Sequence, residues 1–182
     1  GQGRCLGGAI LGTKAFIEDL CGPFLRHPGP TLSPFNAWTL LKGLETLALR
    51  VERHCANAVT LARHLEGKPG VARVLHPDLE SHPQYALAQK QMSGGGSVLA
   101  IDFAGGKDAA FRFLNALRVV KISNNLGDAK SLACHPATTT HQRLTAEEKA
   151  IQGIGPGLLR LSVGLEDIAD LIADVDRGLA AL

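Results

Sequence analysis

Arg160 lies in Leu158-Leu-Arg-Leu-Ser-Val-Gly164, where leucines and a valine alternate with Arg160 and Ser162. A strand of that pattern holds a guanidinium among apolar neighbours. Such a group calls for a carboxylate, and its planar fork suits two parallel hydrogen bonds. The carboxylate belongs either to the protein, as a structural ion pair, or to a substrate. A second candidate is Ser123-Asn-Asn-Leu-Gly-Asp128, directly after an apolar run. Two asparagines and a glycine suffice for a turn. Placed at a strand end, they can also present backbone and amide groups at the rim of a pocket.

Other residues with chemical potential read as structural. Cys134-His135 and His141 match no standard zinc spacing. Neighbours on a strand point to opposite faces, so Cys134 and His135 do not form a nucleophile–base pair there. Gly1-Gln-Gly3 is followed by a glycine one residue too far for a dinucleotide fingerprint. Gly153-Ile-Gly-Pro-Gly157 lacks a preceding strand, and Ser93-Gly-Gly-Gly-Ser97 lacks the lysine of a phosphate loop. These glycines are read as turns, and no metal site is expected.

The elements that must position Arg160 and the asparagine loop are short and alternate. Residues 8–13 read as a buried strand and 14–26 as an amphipathic helix, ended by the breaker His27-Pro-Gly-Pro30. Ser33 and Pro34 then open a long helix as N-cap and first residue. It is expected to run to Gly67, with Gly43 as a point of bending, its apolar stripe stepping from Trp38 through Val51 and Ala58 to Leu65. Strands follow at 71–75, 97–103, 119–122 and 158–163, with helices at 82–92, 108–117 and 166–182. Thr145 and Glu148 form a capping box for one more. Four strands among helices indicate an α+β layer, one sheet covered by helices.

The totals exclude several classes. The chain has 182 residues, 45% hydrophobic and 20% charged, enough for an ordinary core. A net charge of +2 and eight aromatic residues, none interleaved with a basic cluster, argue against nucleic-acid or membrane-surface binding. Four scattered cysteines fit free thiols in a reducing cytoplasm better than a disulfide framework. No stretch approaches the roughly 18 consecutive apolar residues of a membrane helix. The first residues lack an initiator methionine and a signal-peptide pattern, as expected of a portion of a longer chain.

Five segments in order resemble the pyridoxal-phosphate enzymes of cysteine and methionine metabolism. They are Gly1-Gln-Gly-Arg-Cys-Leu-Gly-Gly-Ala9, Gly29-Pro-Thr-Leu-Ser-Pro-Phe-Asn-Ala-Trp38 with Leu40–Leu47, Ser123–Leu132, His135-Pro-Ala-Thr-Thr-Thr-His141 and Leu158–Asp167. The first and third most resemble the branch of O-succinylhomoserine sulfhydrylases. The resemblance implies the large fold of the aspartate aminotransferase type. Residues 1–30 would then be the tail of the cofactor domain and linker. Residues 31–182 would be the C-terminal small domain, with one mostly antiparallel sheet and a long N-terminal linking helix.

It also implies pyridoxal 5'-phosphate as cofactor, an acyl-homoserine and sulfide as substrates, a cytoplasmic homotetramer, and the N-terminal part of the same enzyme as partner. The family's imine-forming lysine, in a Ser-x-Thr-Lys motif, would fall four residues before Gly1. None of the eight lysines here sits in such a motif, Lys121 included, so no catalytic residue is assigned and the chain alone should be inactive. Arg160 matches the family arginine that grips the substrate α-carboxylate. Asn125 and Leu126 occupy the Ser-Leu positions of the usual Ser-Leu-Gly motif, with asparagine in place of serine. Asn124 stands where cystathionine-forming relatives commonly carry glutamate, which points to a small nucleophile. Rival readings are a cystathionine γ-synthase or O-acetylhomoserine sulfhydrylase portion, and a non-catalytic interaction domain that kept the fold.

Overall fold

Residues 8–13, expected as a strand, form none in the computed structural model, which describes residues 3–182. A strand needs a partner for its backbone groups, and all five strands of the described residues join one sheet further along the chain. Ile10 and Leu11 are accordingly exposed. Gly1 and Gln2 of the first family-like segment lie outside the described residues.

Contacts divide the chain into a unit up to Ala48 and a unit from Leu49 on, whereas the sequence places a boundary at 27–30. In the first unit the predicted amphipathic helix is present, as a π-helical stretch Phe16–Cys21 running into α1 (Gly22–Arg26). Gly29, at φ 79°, turns the chain. The Ser33 hydroxyl accepts from the Asn36 N–H at 3.2 Å and opens α2 (Pro34–Leu44) as the sequence predicts. The Asn36 amide donates to the Leu6 carbonyl at 3.1 Å, tying the start of this unit to α2.

The single long helix expected from Ser33 to Leu65 is two helices, α2 and α3 (Leu47–Leu65). The break falls at Glu45–Thr46 rather than at Gly43. Packing of an apolar stripe, more than propensity, keeps a long helix regular. Here that stripe is fully buried only from Ala58 onward, while Trp38, Leu41 and Leu44 are exposed.

The second unit continues with β1 (Val71–Leu75), α4 (Tyr85–Gln91), β2 (Val98–Phe103), α5 (Gly106–Ala116), β3 (Lys121–Ile122) and β4 (Leu132–Cys134). A 3₁₀ turn at Pro136–Thr138, α6 (Ala146–Ile151), β5 (Leu158–Ser162) and α7 (Ile168–Leu179) complete it. The sheet order is β1-β2-β5-β4-β3, antiparallel except for the β3–β4 pair.

Two strands differ from expectation. β4 has no alternating pattern because all three of its residues are buried, and a strand covered on both faces loses the period-two signal. The strand expected at 119–122 shrinks to two residues. The N–H groups of Arg118, Val119 and Val120 are taken by the fully buried carboxylate of Asp174, at 2.8–3.0 Å, instead of by a neighbouring strand. Arg177 pairs with the same carboxylate.

One face of the sheet carries the core. Leu99, Ile101 and Phe103 of β2 and Leu159 and Leu161 of β5 join Leu61 and Leu65 of α3, Phe113 of α5, and Leu171 and Val175 of α7. Gly178 meets the Phe113 ring so closely that an added Cβ would lie 2.6 Å from Cδ2, and this sets the approach of α7 to α5. Arg160 and Ser162 alternate with the core leucines and so belong to the opposite face.

Candidate functional site

β5 is the middle strand of the sheet. Arg160 stands in register with Ala100 of β2 and Cys134 of β4, two short side chains that leave room for a long one between them. Its guanidinium Nη2 donates to the Asn124 carbonyl at 2.7 Å and the Asn125 carbonyl at 3.0 Å. Two residues further along the same face, the Ser162 hydroxyl accepts from the Gly127 N–H at 2.9 Å. Gly127 has φ 72°, a conformation that glycine adopts without cost and that lets the loop turn back onto the strand. The Ser123 hydroxyl accepts from the Asn125 N–H at 3.2 Å, closing the first turn of the loop.

The sequence left two owners open for the carboxylate that Arg160 requires. Among the described residues no carboxylate lies within 4 Å of it, so it forms no structural ion pair within this chain. Its Nε–H is buried and has no acceptor. Two neutral peptide carbonyls orient the guanidinium plane without neutralising it. A half-buried cation with an unpaired donor is costly to keep. It is a condition that a further acceptor, such as an anion oxygen, would relieve.

The sequence-predicted residues are thus brought together, though by an unexpected route. Asn124 and Asn125 touch Arg160 through main-chain oxygens, while their side chains and that of Leu126, 60% exposed, are open to solvent. Ser162 was not singled out as a site residue. Its signal was available, since it lies two positions after Arg160 on one strand.

The remaining candidates have structural roles. The His135 Nε2 bonds to the Pro156 carbonyl at 2.8 Å and its Nδ1 to the Thr138 hydroxyl at 2.9 Å, so both ring nitrogens are engaged. Cys134 is buried in β4. Lys121 turns its ammonium to the Arg118 carbonyl. A Cβ on Gly157 would lie 2.3 Å from the Phe103 carbonyl oxygen, so the second glycine run serves the approach of β5 to β2. Among the described residues no three His, Cys, Asp or Glu side chains gather as metal ligands, and no helix is long and apolar enough to cross a membrane.

The profile of the Cys/Met metabolism PLP-dependent enzyme family matches residues 1–180, and the chain belongs to that family. Over 182 residues it is 54% identical to O-succinylhomoserine sulfhydrylase of Pseudomonas aeruginosa, covering all of this chain and 45% of that protein. It is 47% identical to L-methionine gamma-lyase of Pseudomonas putida, again over all of this chain and 46% of the other. The crystal structure of cystathionine gamma synthase from Xanthomonas oryzae pv. oryzae, in complex with aminoacrylate and cysteine, superposes with a TM-score of 0.85. It shares 39% identity, over 92% of this chain and 43% of that one. The chain therefore spans less than half the length of these relatives. The family's reactions depend on pyridoxal phosphate. The Arg160 guanidinium keeps a donor without a partner, and none of the eight lysines sits in a Ser-x-Thr-Lys run.

Proposed function

We propose that this chain is the C-terminal portion of a pyridoxal-phosphate-dependent O-succinylhomoserine sulfhydrylase, and that it supplies the site for the substrate α-carboxylate. On this reading residues 1–30 are the tail of the cofactor domain and linker, and residues 31–182 form the small domain. The observation that carries it is Arg160, held by the Asn124 and Asn125 carbonyls with no counter-anion in the described residues. The strong likeness to the Pseudomonas aeruginosa sulfhydrylase supports the choice of substrate.

The reaction replaces succinate at Cγ of the acyl-homoserine by hydrosulfide and yields homocysteine. When bound, the cofactor supplies an electron sink for the charge that develops at Cα and Cβ. Arg160 fixes the carboxylate, and with it the direction in which the Cα–H bond points. The loop carbonyls engage Nη2 and keep the guanidinium in one plane, so the carboxylate meets the remaining donors already oriented. Asn125 and Leu126 line the carboxylate end of the site, and Asn124 stands at the side where the second substrate arrives. The imine-forming lysine lies in the preceding part of the enzyme, which acts in the cytoplasm as a homotetramer.

Arg160→Lys in the complete enzyme tests this. Lysine keeps the charge and loses the planar donor set and its loop contacts, about 2–3 kcal/mol for charge-assisted hydrogen bonding, or roughly a hundredfold in kcat/KM. Steady-state kinetics with O-succinylhomoserine reads the effect. Unchanged kcat/KM would remove Arg160 from the substrate site.

A further inference from the structure

The loop that holds Arg160 is itself held, and by a carboxylate that no step of the proposed reaction uses. The Glu166 Oε1 accepts from the Ser131 N–H at 2.6 Å, and its Oε2 from the Ser131 hydroxyl at 2.9 Å. Among the described residues no basic side chain lies within 4 Å of this carboxylate, so both oxygens serve one serine rather than an ion pair. Ser131 is fully buried, and its hydroxyl also accepts from the Gly164 N–H at 2.8 Å.

The turn that carries Glu166 is fixed from behind by α3. The Asn57 amide donates to the Gly164 and Glu166 carbonyls at 3.0 and 2.9 Å. The His54 Nδ1 lies 2.7 Å from the Val163 carbonyl and donates to it, because a carbonyl can only accept. A Cβ on Gly164 would lie 2.5 Å from the backbone of Lys130 and Ser131, so the two segments touch main chain to main chain. The Leu165 N–H donates to the Ala129 carbonyl at 2.8 Å. Residues 123–131 are thereby tied twice to the same strand and its exit turn. Arg160 and Ser162 hold the first half, and Glu166 holds the second together with the Gly164 and Leu165 N–H groups.

We infer that Glu166 is a positioning residue for the substrate carboxylate: by clamping Ser131 it fixes the loop whose Asn124 and Asn125 carbonyls orient the Arg160 guanidinium. The inference rests on the reading of Arg160 as the carboxylate site. Its physical basis is that Asn124, Asn125 and Leu126 are exposed while Ser131 is buried, so the exposed half of the loop is anchored through the buried half and these ties. Releasing one end lets the carbonyls drift, and small misplacements at a bound group are costly in rate and affinity.

The test uses the complete enzyme with Glu166→Gln, Ser131→Ala and Arg160→Lys, alone and combined. Glutamine keeps the shape of Glu166 but cannot accept from both Ser131 donors, and Ser131→Ala removes the clamp from the other side should the first variant fold poorly. Inhibition is measured with a non-reactive amino acid and with the amine that lacks its carboxylate. The inference expects affinity for the amino acid to fall about tenfold in either clamp variant, with amine affinity within twofold. It also expects Glu166→Gln to add little in the Arg160→Lys background, because both act on one contact. Equal losses for amino acid and amine, or effects that multiply with those of Arg160→Lys, would show a general packing role and overturn it. An Arg160→Lys enzyme with unchanged amino-acid affinity overturns the reading of Arg160 itself, whatever Glu166→Gln does, so the two failures are told apart.

Discussion

Asn124 meets Arg160 only through its carbonyl oxygen, and its side chain is exposed at the edge of the loop. The side chain can therefore be changed without cutting the tie to the guanidinium. If the loss of an acid at this position is what favours hydrosulfide over cysteine, Asn124→Glu in the complete enzyme should restore an anchor for the cysteine ammonium. An exposed charge contact is worth up to about 1 kcal/mol, so the ratio of cysteine to sulfide use should rise about fivefold. Competition between the two nucleophiles, read from the amounts of cystathionine and homocysteine formed, gives that ratio. No rise would remove Asn124 from the choice of nucleophile. At this scale the sequence was informative about which residues come together. Alternation along Leu158–Ser162 by itself puts Arg160 and Ser162 on one face. It could not show that the asparagines act through backbone oxygens, since every residue type offers the same carbonyl.

Among the elements, those fixed by neighbours in sequence were legible and those fixed by distant partners were not. The capping box at α6 is present in both directions, with the Thr145 hydroxyl accepting from the Glu148 N–H at 3.2 Å and the Glu148 carboxylate accepting from the Thr145 N–H at 2.7 Å. β4, by contrast, exists because β5 lies beside it, and the run before β3 is spent on Asp174, more than fifty residues away. The break between α2 and α3 likewise follows burial that begins at His54, which periodicity alone does not report.

The capping box carries a sign-definite pH effect. The Thr145 backbone N–H, and then its hydroxyl, hold the Glu148 carboxyl below its ordinary value of 4.5. A lowered folded value means the ionised form stabilises the fold. That contribution is complete above the ordinary glutamate range and is lost as pH falls through the lowered folded value. Glu148→Gln keeps the box in shape and removes only the charge. The Tm difference between the parent and this variant should be constant near neutral pH and close toward zero below about pH 4, where the carboxyl becomes neutral too. A difference that persists unchanged into acid would show that the charge contributes nothing at this cap.

At the scale of the whole molecule, on the proposed reading this chain holds the carboxylate-binding arginine and the preceding part of the enzyme holds the imine-forming lysine. Ala58, Leu61 and Leu65 of α3 pack in one core with Phe113 of α5, Leu171 and Val175 of α7 and the strands, so the second unit has a core of its own. The unit up to Ala48 is different. Leu6, Leu11, Phe35, Trp38 and Leu44 are each more than half exposed, which fits a segment that continues into more protein. The division of labour proposed above can be checked by mass. Borohydride fixes an imine of pyridoxal phosphate irreversibly onto its lysine. A preparation of this chain, reduced without added cofactor, should give one intact species at 19.2 kDa with no added pyridoxyl group. The complete enzyme treated in the same way should carry the group on a peptide that precedes Gly1. A pyridoxyl group on any of the eight lysines of this chain would mean that the imine forms here after all, and that the chain is more than a carboxylate-binding portion.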